Sequence, residues 1–199
     1  MVPVVRMNEP DDFHDLVRVP GHIFLADNPH PKATEWKGKE YWQKSLPHMR
    51  TAYDSICAYC ATWIPHSTGS QSVDHFIPKK IRPDLAYEWS NYRYASARFN
   101  SRKSLKQILD PFSLPPDWFV LDFITLFIKP NLNILTDAQK AQVAETIKIL
   151  GLNDDDELVR ERQEYYQCYL TGEISFAFLA GKAPFIGYEL QRQSLIIPI

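Results

Sequence analysis

The chain has 199 residues and a mass of 23.1 kDa, with 45% hydrophobic residues and a formal net charge of −2. This composition is typical of a globular protein and excludes a disordered or fibrous chain, and the nearly neutral charge argues against nucleic-acid binding over the whole surface. The sequence has neither a signal-peptide pattern nor an apolar run long enough to span a bilayer, so we expect a cytoplasmic protein.

The first third of the chain carries few motifs. Residues 1–32 contain five prolines and little periodicity, which predicts an extended N-terminal arm. From about Thr34 to Ser55, apolar side chains recur every three or four residues as in a helix, which Pro47 is expected to break or kink. We assign residues 33–110 to one domain, and residues 111–199 to a helical C-terminal region packed on the same core.

The middle of the chain alternates short strands and loops. Cys57 and Cys60 form a Cys-x-x-Cys pair, which in a reducing compartment suggests metal binding or redox chemistry before a structural disulfide. A polar loop leads to the short strand "SVDHFI", and a second strand is expected at Asn91–Ser96. The following "ARFNSRKSLKQIL" predicts a helix that ends before Asp110.

The last third is expected to be mostly helical. Thr136 and Gln139 fit a capping box, and Gly151 fits the C-terminal cap of the same helix. The acidic run of residues 154–157 is interpreted as the start of another helix, where carboxylates compensate the helix dipole, and a metal site is the alternative. Pro184 is expected to open a final helical turn. The fold class is therefore α+β, a mostly helical chain around a small two-stranded finger.

Basic side chains concentrate in one window. Between Lys79 and Lys106 the sequence has eight basic and two acidic residues, so this window carries a charge of +6 and the rest of the chain −8. Such a face attracts phosphate even when the whole molecule does not, and a solvated helix face is the alternative interpretation.

Several polar residues in this region suit phosphodiester hydrolysis. That reaction needs an activated water and a cation that neutralises charge on the phosphate and on the departing oxygen. An imidazole such as that of His75 can accept the proton of the water, and oxygen ligands such as Asp74 and Asn100 can hold Mg²⁺. Because neighbouring side chains point to opposite faces of a strand, Asp74 and His75 share a site only where the strand bends or ends.

The successive motifs "CAYC", "VDHFIPK" and "WSNYRYASARFNSRKS" resemble the HNH endonuclease family, whose core is a ββα-metal finger. The resemblance covers about a quarter of the chain, from Cys57 to Lys103. The resemblance implies a nuclease that uses one divalent cation, with Mg²⁺ expected and Mn²⁺ or Ni²⁺ as alternatives. It implies the following roles: His75 as general base, Asp74 and Asn100 as metal ligands, and Asn91 as the residue that orients the loop and the base. Nucleic acid, with DNA favoured over RNA, is expected to contact Lys79, Lys80, Arg98, Arg102 and Lys103.

One departure from the family pattern concerns zinc. Many family members carry a second cysteine pair that completes a four-cysteine zinc site, whereas this chain has Ser96 and Phe99 at those places. A structural zinc on Cys57 and Cys60 would need His66 or another group. We favour a knuckle without zinc that is closed by packing.

The downstream sequence further resembles a bacterial subgroup of HNH proteins that are often encoded beside an ATPase in anti-phage or retron-type systems. This implies an ATPase partner, with the C-terminal region as the candidate docking surface. The alternative function is a catalytically silent module that binds nucleic acid or protein on an HNH scaffold.

Overall fold

The computed structural model describes residues 1–197, which divide into two compact units. The finger unit comprises Val5–Ser55 and Ile64–Leu105, and the helical unit comprises Met1–Val4, Ile56–Trp63 and the chain from Lys106 onward. Within the described chain there are seven α-helices and two small antiparallel sheets of two strands each. The prediction of an α+β fold is confirmed.

The finger unit contains three α-helices and one sheet. A turn of π-helix, His14–Arg18, continues into α1, Val19–Asp27. Two 3-10 turns, Ala33–Trp36 and Tyr41–Ser45, then lead into α2, Leu46–Ala52. The two strands are β1, Gln71–His75, and β2, Tyr92–Ser96. The loop between them contains two 3-10 turns, Pro83–Leu85 and Trp89–Asn91. The helix α3, Ala97–Lys103, follows β2 directly. The predicted order of strand, long loop, strand and helix is therefore present.

Prolines explain where the sequence prediction of the first helices was wrong. The arm predicted as extended is helical over residues 14–27, and Pro20 lies where the π-helical turn passes into the first turn of α1. Pro47 likewise lies at the start of α2 and does not interrupt a longer helix. The third helix ends at Lys103, earlier than predicted, and Ser104 has a positive φ of 47°.

Aromatic side chains fill the core of the finger unit. β1 and β2 pair antiparallel, with Gln71 opposite Ser96 and His75 opposite Tyr92. The interpretation of three aromatic residues near β2 as core residues is confirmed by their burial: Trp89, Tyr92 and Tyr94. A Cβ atom on Gly21 would lie 2.1 Å from the ring of Tyr87, so only glycine allows α1 to approach this core so closely.

The helical unit holds the second sheet and four helices: β3, Phe119–Leu121; β4, Ile128–Pro130; α4, Asp137–Leu150; α5, Asp156–Leu170; α6, Phe176–Lys182; and α7, Pro184–Arg192. The capping box of α4 is confirmed, and Gly151 ends the helix in the left-handed conformation. Asp155 caps α5 by accepting a hydrogen bond from the N–H of Leu158 at 3.2 Å, as expected for an acidic run that starts a helix. No helix among residues 1–197 is both long and apolar enough to cross a membrane.

Candidate active site

The end of β1 brings Asp74 and His75 to one cavity. β1 ends at His75, and the backbone N–H of Phe76 then donates a hydrogen bond to the carbonyl of Asn91 at 2.8 Å. Asp74, His75 and Asn100 all line the same cavity of about 670 Å³ in the finger unit. Both residues therefore line one cavity although they are neighbours in β1, and the hydrogen bond between Phe76 and Asn91 continues the same strand register.

His75 is held in a defined tautomer. Its Nε2 atom lies 2.9 Å from the carbonyl oxygen of Ala86, and because a carbonyl can only accept, Nε2 must donate. The neutral ring therefore has an unprotonated Nδ1. Burial lowers the pKa of His75 to about 3, with the positive charges of Lys79 and Lys103 adding to the effect. The imidazole is thus neutral at physiological pH and has one nitrogen able to accept a proton.

Two aromatic rings fix the orientation of this imidazole. The ring of Trp42 lies edge-on at a centroid distance of 4.8 Å, and that of Tyr92 at 5.4 Å. The hydroxyl of Tyr92 also donates to the carbonyl of Ala86 at 2.8 Å, so this oxygen accepts from both side chains. Because the imidazole is already held in one orientation, it loses little conformational entropy when it acts as a base.

Asp74 forms a buried ion pair with Lys103. The Lys103 Nζ atom lies 3.0 Å from Oδ2 and 3.2 Å from Oδ1 of Asp74, and it donates to the carbonyl of His75 at 3.0 Å. Asp74 is 3% exposed and Lys103 is 1% exposed. A phosphate could reach this ammonium only after a rearrangement, so the predicted contact of Lys103 with nucleic acid stays a prediction, whereas its contact with Asp74 is direct.

Asn91 clamps the loop that follows β1. Its Oδ1 atom accepts from the backbone N–H of Ile77 at 2.8 Å, and its Nδ2 atom donates to the carbonyls of Ile77 at 2.9 Å and of Leu85 at 3.2 Å. These bonds join both ends of the loop between the strands. Since the carbonyl of Ala86, next to Leu85, orients the His75 ring, this geometry is consistent with the orienting role implied for Asn91.

Asn100 lies in α3, and the nitrogen of its side-chain amide forms a hydrogen bond. Its Nδ2 atom donates to the Ser72 hydroxyl at 3.1 Å, and that hydroxyl donates to the carbonyl of Ala95 at 3.0 Å. The amide oxygen is therefore the end that remains for a cation. Carboxylate and amide oxygens are hard donors of the kind that Mg²⁺ prefers, and both carboxylate oxygens of Asp74 also lie within 3.2 Å of the Lys103 ammonium.

The metal ligands available here are few. Among residues 1–197 no group of three His, Cys, Asp or Glu side chains is placed to hold a metal ion. The binding of a cation by Asp74 and the amide oxygen of Asn100 stays a prediction.

The sequence did not indicate two features of the cavity. Trp36 and Trp42, from the 3-10 turns that precede α2, form part of its wall. The Lys79 ammonium lies over both indole rings, at 4.9 Å from the Trp42 centroid and 5.7 Å from that of Trp36. Burial lowers the pKa of Lys79, and nearby acidic groups oppose that shift. No spacing rule connects residues 36 and 42 with residue 79.

The other basic residues predicted to contact nucleic acid are spread over the finger unit. Lys80 is exposed and lines the cavity, and Arg98 is exposed on α3. The Arg102 guanidinium lies 5.6 Å from the centroid of the Phe99 ring. Contact of these side chains with nucleic acid stays a prediction.

The cysteine pair belongs to the helical unit. The N–H of Ala61 donates to the carbonyl of Cys57 at 2.9 Å, and the N–H of Cys57 donates to the carbonyl of Thr62 at 3.0 Å, which forms a tight knuckle. A side-chain hydrogen bond with Cys57, together with burial, raises the pKa of Cys60, so this side chain is a neutral thiol. The knuckle without zinc stays a prediction.

Comparison with known proteins gives a distant similarity. No family model matches the chain. The chain is similar to Septu protein PtuB of Bacillus thuringiensis, with 26% identity over 130 residues that cover 63% of this chain and 46% of the relative. The match therefore spans about half the length of that relative.

Proposed function

We propose that the chain is a metal-dependent HNH endonuclease that hydrolyses phosphodiester bonds in nucleic acid. The observation that carries this proposal is the neutral imidazole of His75, which lines one cavity with the oxygen donors of Asp74 and Asn100. The family resemblance of the motif supports the same conclusion.

Each residue then has a distinct task. His75 accepts the proton of the attacking water at Nδ1, while its Nε2–H stays on the carbonyl of Ala86. Asp74 and Asn100 hold the divalent cation, which when bound neutralises charge on the phosphate and on the departing oxygen. Lys79 and Lys80 add positive charge at the cavity, which raises the local concentration of a polyanionic substrate.

The alternative of a catalytically silent scaffold is less well supported. A binding module needs no neutral base with a defined tautomer, and it gains nothing from placing that base beside two oxygen donors. The two functions differ in one measurable property, since only the nuclease cuts its ligand when metal is added.

A cleavage assay tests the proposal. Purified protein is incubated with double-stranded DNA, single-stranded DNA and RNA in Mg²⁺, in Mn²⁺ and in EDTA. We expect cleavage of at least one substrate with a divalent cation and none in EDTA. We expect an Asp74→Ala variant to be inactive with either metal, and its melting temperature is measured as well because the change removes the carboxylate that lies 3.0 Å from Lys103. Cleavage at equal rates in EDTA and in Mg²⁺ would contradict the assigned chemistry.

We further propose that this nuclease serves in anti-phage defence. The similarity to a Septu protein supports a defence role, since the relative is an anti-phage defence protein. The resemblance to nucleases encoded beside an ATPase adds the proposal of an ATPase partner. The isolated chain could then be inactive in the assay above, so the assay is repeated with the partner present.

The partner proposal predicts a stable complex. The proposal requires that an ATPase is encoded beside the gene of this chain. When the two are co-expressed, we expect them to elute together in size-exclusion chromatography at a mass above that of either alone. An unrelated ATPase of similar size serves as the control. Separate elution of the two chains at micromolar concentration, with and without ATP, would refute the complex.

A further inference from the structure

A groove on the surface of the helical unit lies between α5 and α6. Its volume is about 300 Å³, and it is lined by six residues: Glu161, Glu164, Tyr165, Cys168, Ile174 and Phe178. The four that belong to α5 are spaced at i, i+3, i+4 and i+7, so they lie on one face of that helix. We call this surface the α5–α6 groove, and it takes no part in the chemistry proposed for the finger unit.

The groove exposes apolar side chains. Phe176 packs on Tyr169 at a centroid distance of 6.1 Å, whereas Phe178, from the same helix, is 49% exposed. Tyr165 and Ile174 are partly buried and line the same groove. Concave apolar surface with polar groups at its edge is typical of a binding site.

Carboxylates surround this apolar surface. Glu164 and Glu173 are both exposed, and Glu173 accepts a hydrogen bond from the hydroxyl of Thr171 at 3.0 Å. The pKa of the Cys168 thiol is raised by partial burial, by a hydrogen bond to Glu173 and by the negative charges of Glu173 and Glu164. Because Cys168 lines the groove, both carboxylates lie close to it.

The basic residues of α5 and α6 do not neutralise this rim. Arg162 is buried and donates to two backbone carbonyls, and the Lys182 ammonium lies 3.5 Å from the ring centroid of Trp63. Arg160 is exposed but does not line the groove. The groove therefore combines an apolar floor with a negative rim.

We propose that the α5–α6 groove binds a positively charged segment of a partner protein, which inserts one large apolar side chain against Phe178. Lysine or arginine residues on either side of that apolar side chain would then meet Glu164 and Glu173. An apolar centre inside a rim of complementary charge is a common arrangement at protein interfaces. Nucleic acid does not fit the same surface, because its phosphates would face carboxylates.

This inference gives the docking role expected of the C-terminal region a defined surface. It does not rest on the proposed nuclease function, and it holds whether or not the partner is an ATPase.

Selection from a phage-displayed library of random peptides tests the proposal without knowledge of the natural partner. The full chain is the target, and peptides that also bind a Phe178→Ala variant are removed. We expect the remaining peptides to be enriched in lysine and arginine around one aromatic or large aliphatic residue. If no peptide remains, or if the remaining peptides have no excess of basic residues, the proposal is overturned.

A second apolar variant shows whether the loss is specific to the groove. Leu170 is 42% exposed on α5 and does not line the groove, so Leu170→Ala is the matched control for Phe178→Ala. For one selected peptide, we expect Phe178→Ala to weaken binding about tenfold or more and Leu170→Ala to leave it unchanged. Equal losses in two variants with wild-type melting temperatures would contradict binding in the groove.

The rim is tested by charge. Glu164→Gln combined with Glu173→Gln removes both carboxylates, and Glu145→Gln combined with Asp154→Asn removes two exposed charges of the helical unit outside the groove. We expect the first double variant to bind the selected peptide about fivefold more weakly at low salt, and the second to show a smaller loss. Equal affinities of the two double variants would show that the rim does not contact the peptide.

The Cys168 thiol reports directly whether the groove is occupied. We expect saturating peptide to slow the alkylation of Cys168 by iodoacetamide, measured by mass spectrometry, and a peptide of the same composition in scrambled order to have no such effect. Unchanged alkylation of Cys168 at saturating peptide would place the binding elsewhere and overturn the proposal.

Failure of this inference is separable from failure of the proposed function. A chain that cuts nucleic acid but selects no basic peptide through Phe178 would keep the nuclease and lose the docking surface. A chain that binds such peptides over Cys168 but cuts nothing with any metal would keep the docking surface and lose the nuclease.

Discussion

Replacement of His75 by glutamine is expected to lower metal-dependent cleavage by at least about 100-fold, the range typical of removing a general base. Glutamine keeps an N–H that can donate to the carbonyl of Ala86, where the Nε2 atom of His75 donates at 2.9 Å. Its amide nitrogen has no free lone pair that could accept the proton of a water molecule. The variant therefore removes the proposed chemistry while preserving the hydrogen bond that orients the side chain.

Initial cleavage rates at saturating Mg²⁺, measured beside substrate binding in EDTA, check this expectation. The matched control is His48→Gln, because His48 is an exposed histidine that packs against Trp89 at 5.7 Å and does not line the cavity. We expect the control to cut at the wild-type rate and both variants to bind substrate. A His75→Gln protein with wild-type cleavage would disprove the assignment of the base.

Replacement of Lys103 by methionine is expected to reduce the free energy of unfolding by about 3–5 kcal/mol. The change keeps most of the side-chain volume but leaves the carboxylate of Asp74 buried without the ammonium that lies 3.0 Å away. It also removes the donor to the carbonyl of His75. Removing one partner of a buried ion pair is far more destabilising than removing an exposed charge.

Urea denaturation in EDTA measures the loss, with Lys106→Met as the control because Lys106 is exposed. We expect the control to change stability by less than about 0.5 kcal/mol. A divalent cation at Asp74 would replace the missing charge, so Mn²⁺ should raise the midpoint of Lys103→Met more than that of the wild type. A loss below about 1 kcal/mol would show that the buried pair contributes little.

Several parts of the fold were predictable because their cause is local. The capping box at Thr136, the left-handed glycine at Gly151 and the opening of α7 at Pro184 each depend on a few neighbouring residues. The two strands of the finger followed from short apolar runs bounded by turn residues, and β1 and β2 lie within one residue or two of the expected ranges. Local hydrogen bonding and steric limits decide such features, so a short stretch of sequence suffices.

Other elements of the fold were not predictable because their conformation depends on where a residue lies within its helix. Prolines in the first 52 residues indicated an extended arm and a kinked helix, yet Pro47 lies at the start of α2 and Pro20 lies where a π-helical turn passes into α1. The same residue type is favourable at the first turn and unfavourable one turn later, and the sequence alone did not place the turn. The early end of α3 at Lys103 was missed for a similar reason, since its apolar periodicity continued to Ile108.

For the candidate site, the sequence by itself determined the chemical types and their order: a carboxylate, an imidazole, two amides and a lysine, in the pattern that resembles an HNH finger. Only the tertiary structure decided how they meet. It places Lys103 on Asp74 and not at the surface, holds the tautomer of His75 through the carbonyl of Ala86, and sets Lys79 over two tryptophans. These contacts join residues that lie 11 to 43 positions apart in the sequence. Local sequence rules do not determine which distant groups come together in the interior. Once they are buried there, the low dielectric constant shifts their pKa values and strengthens their contacts.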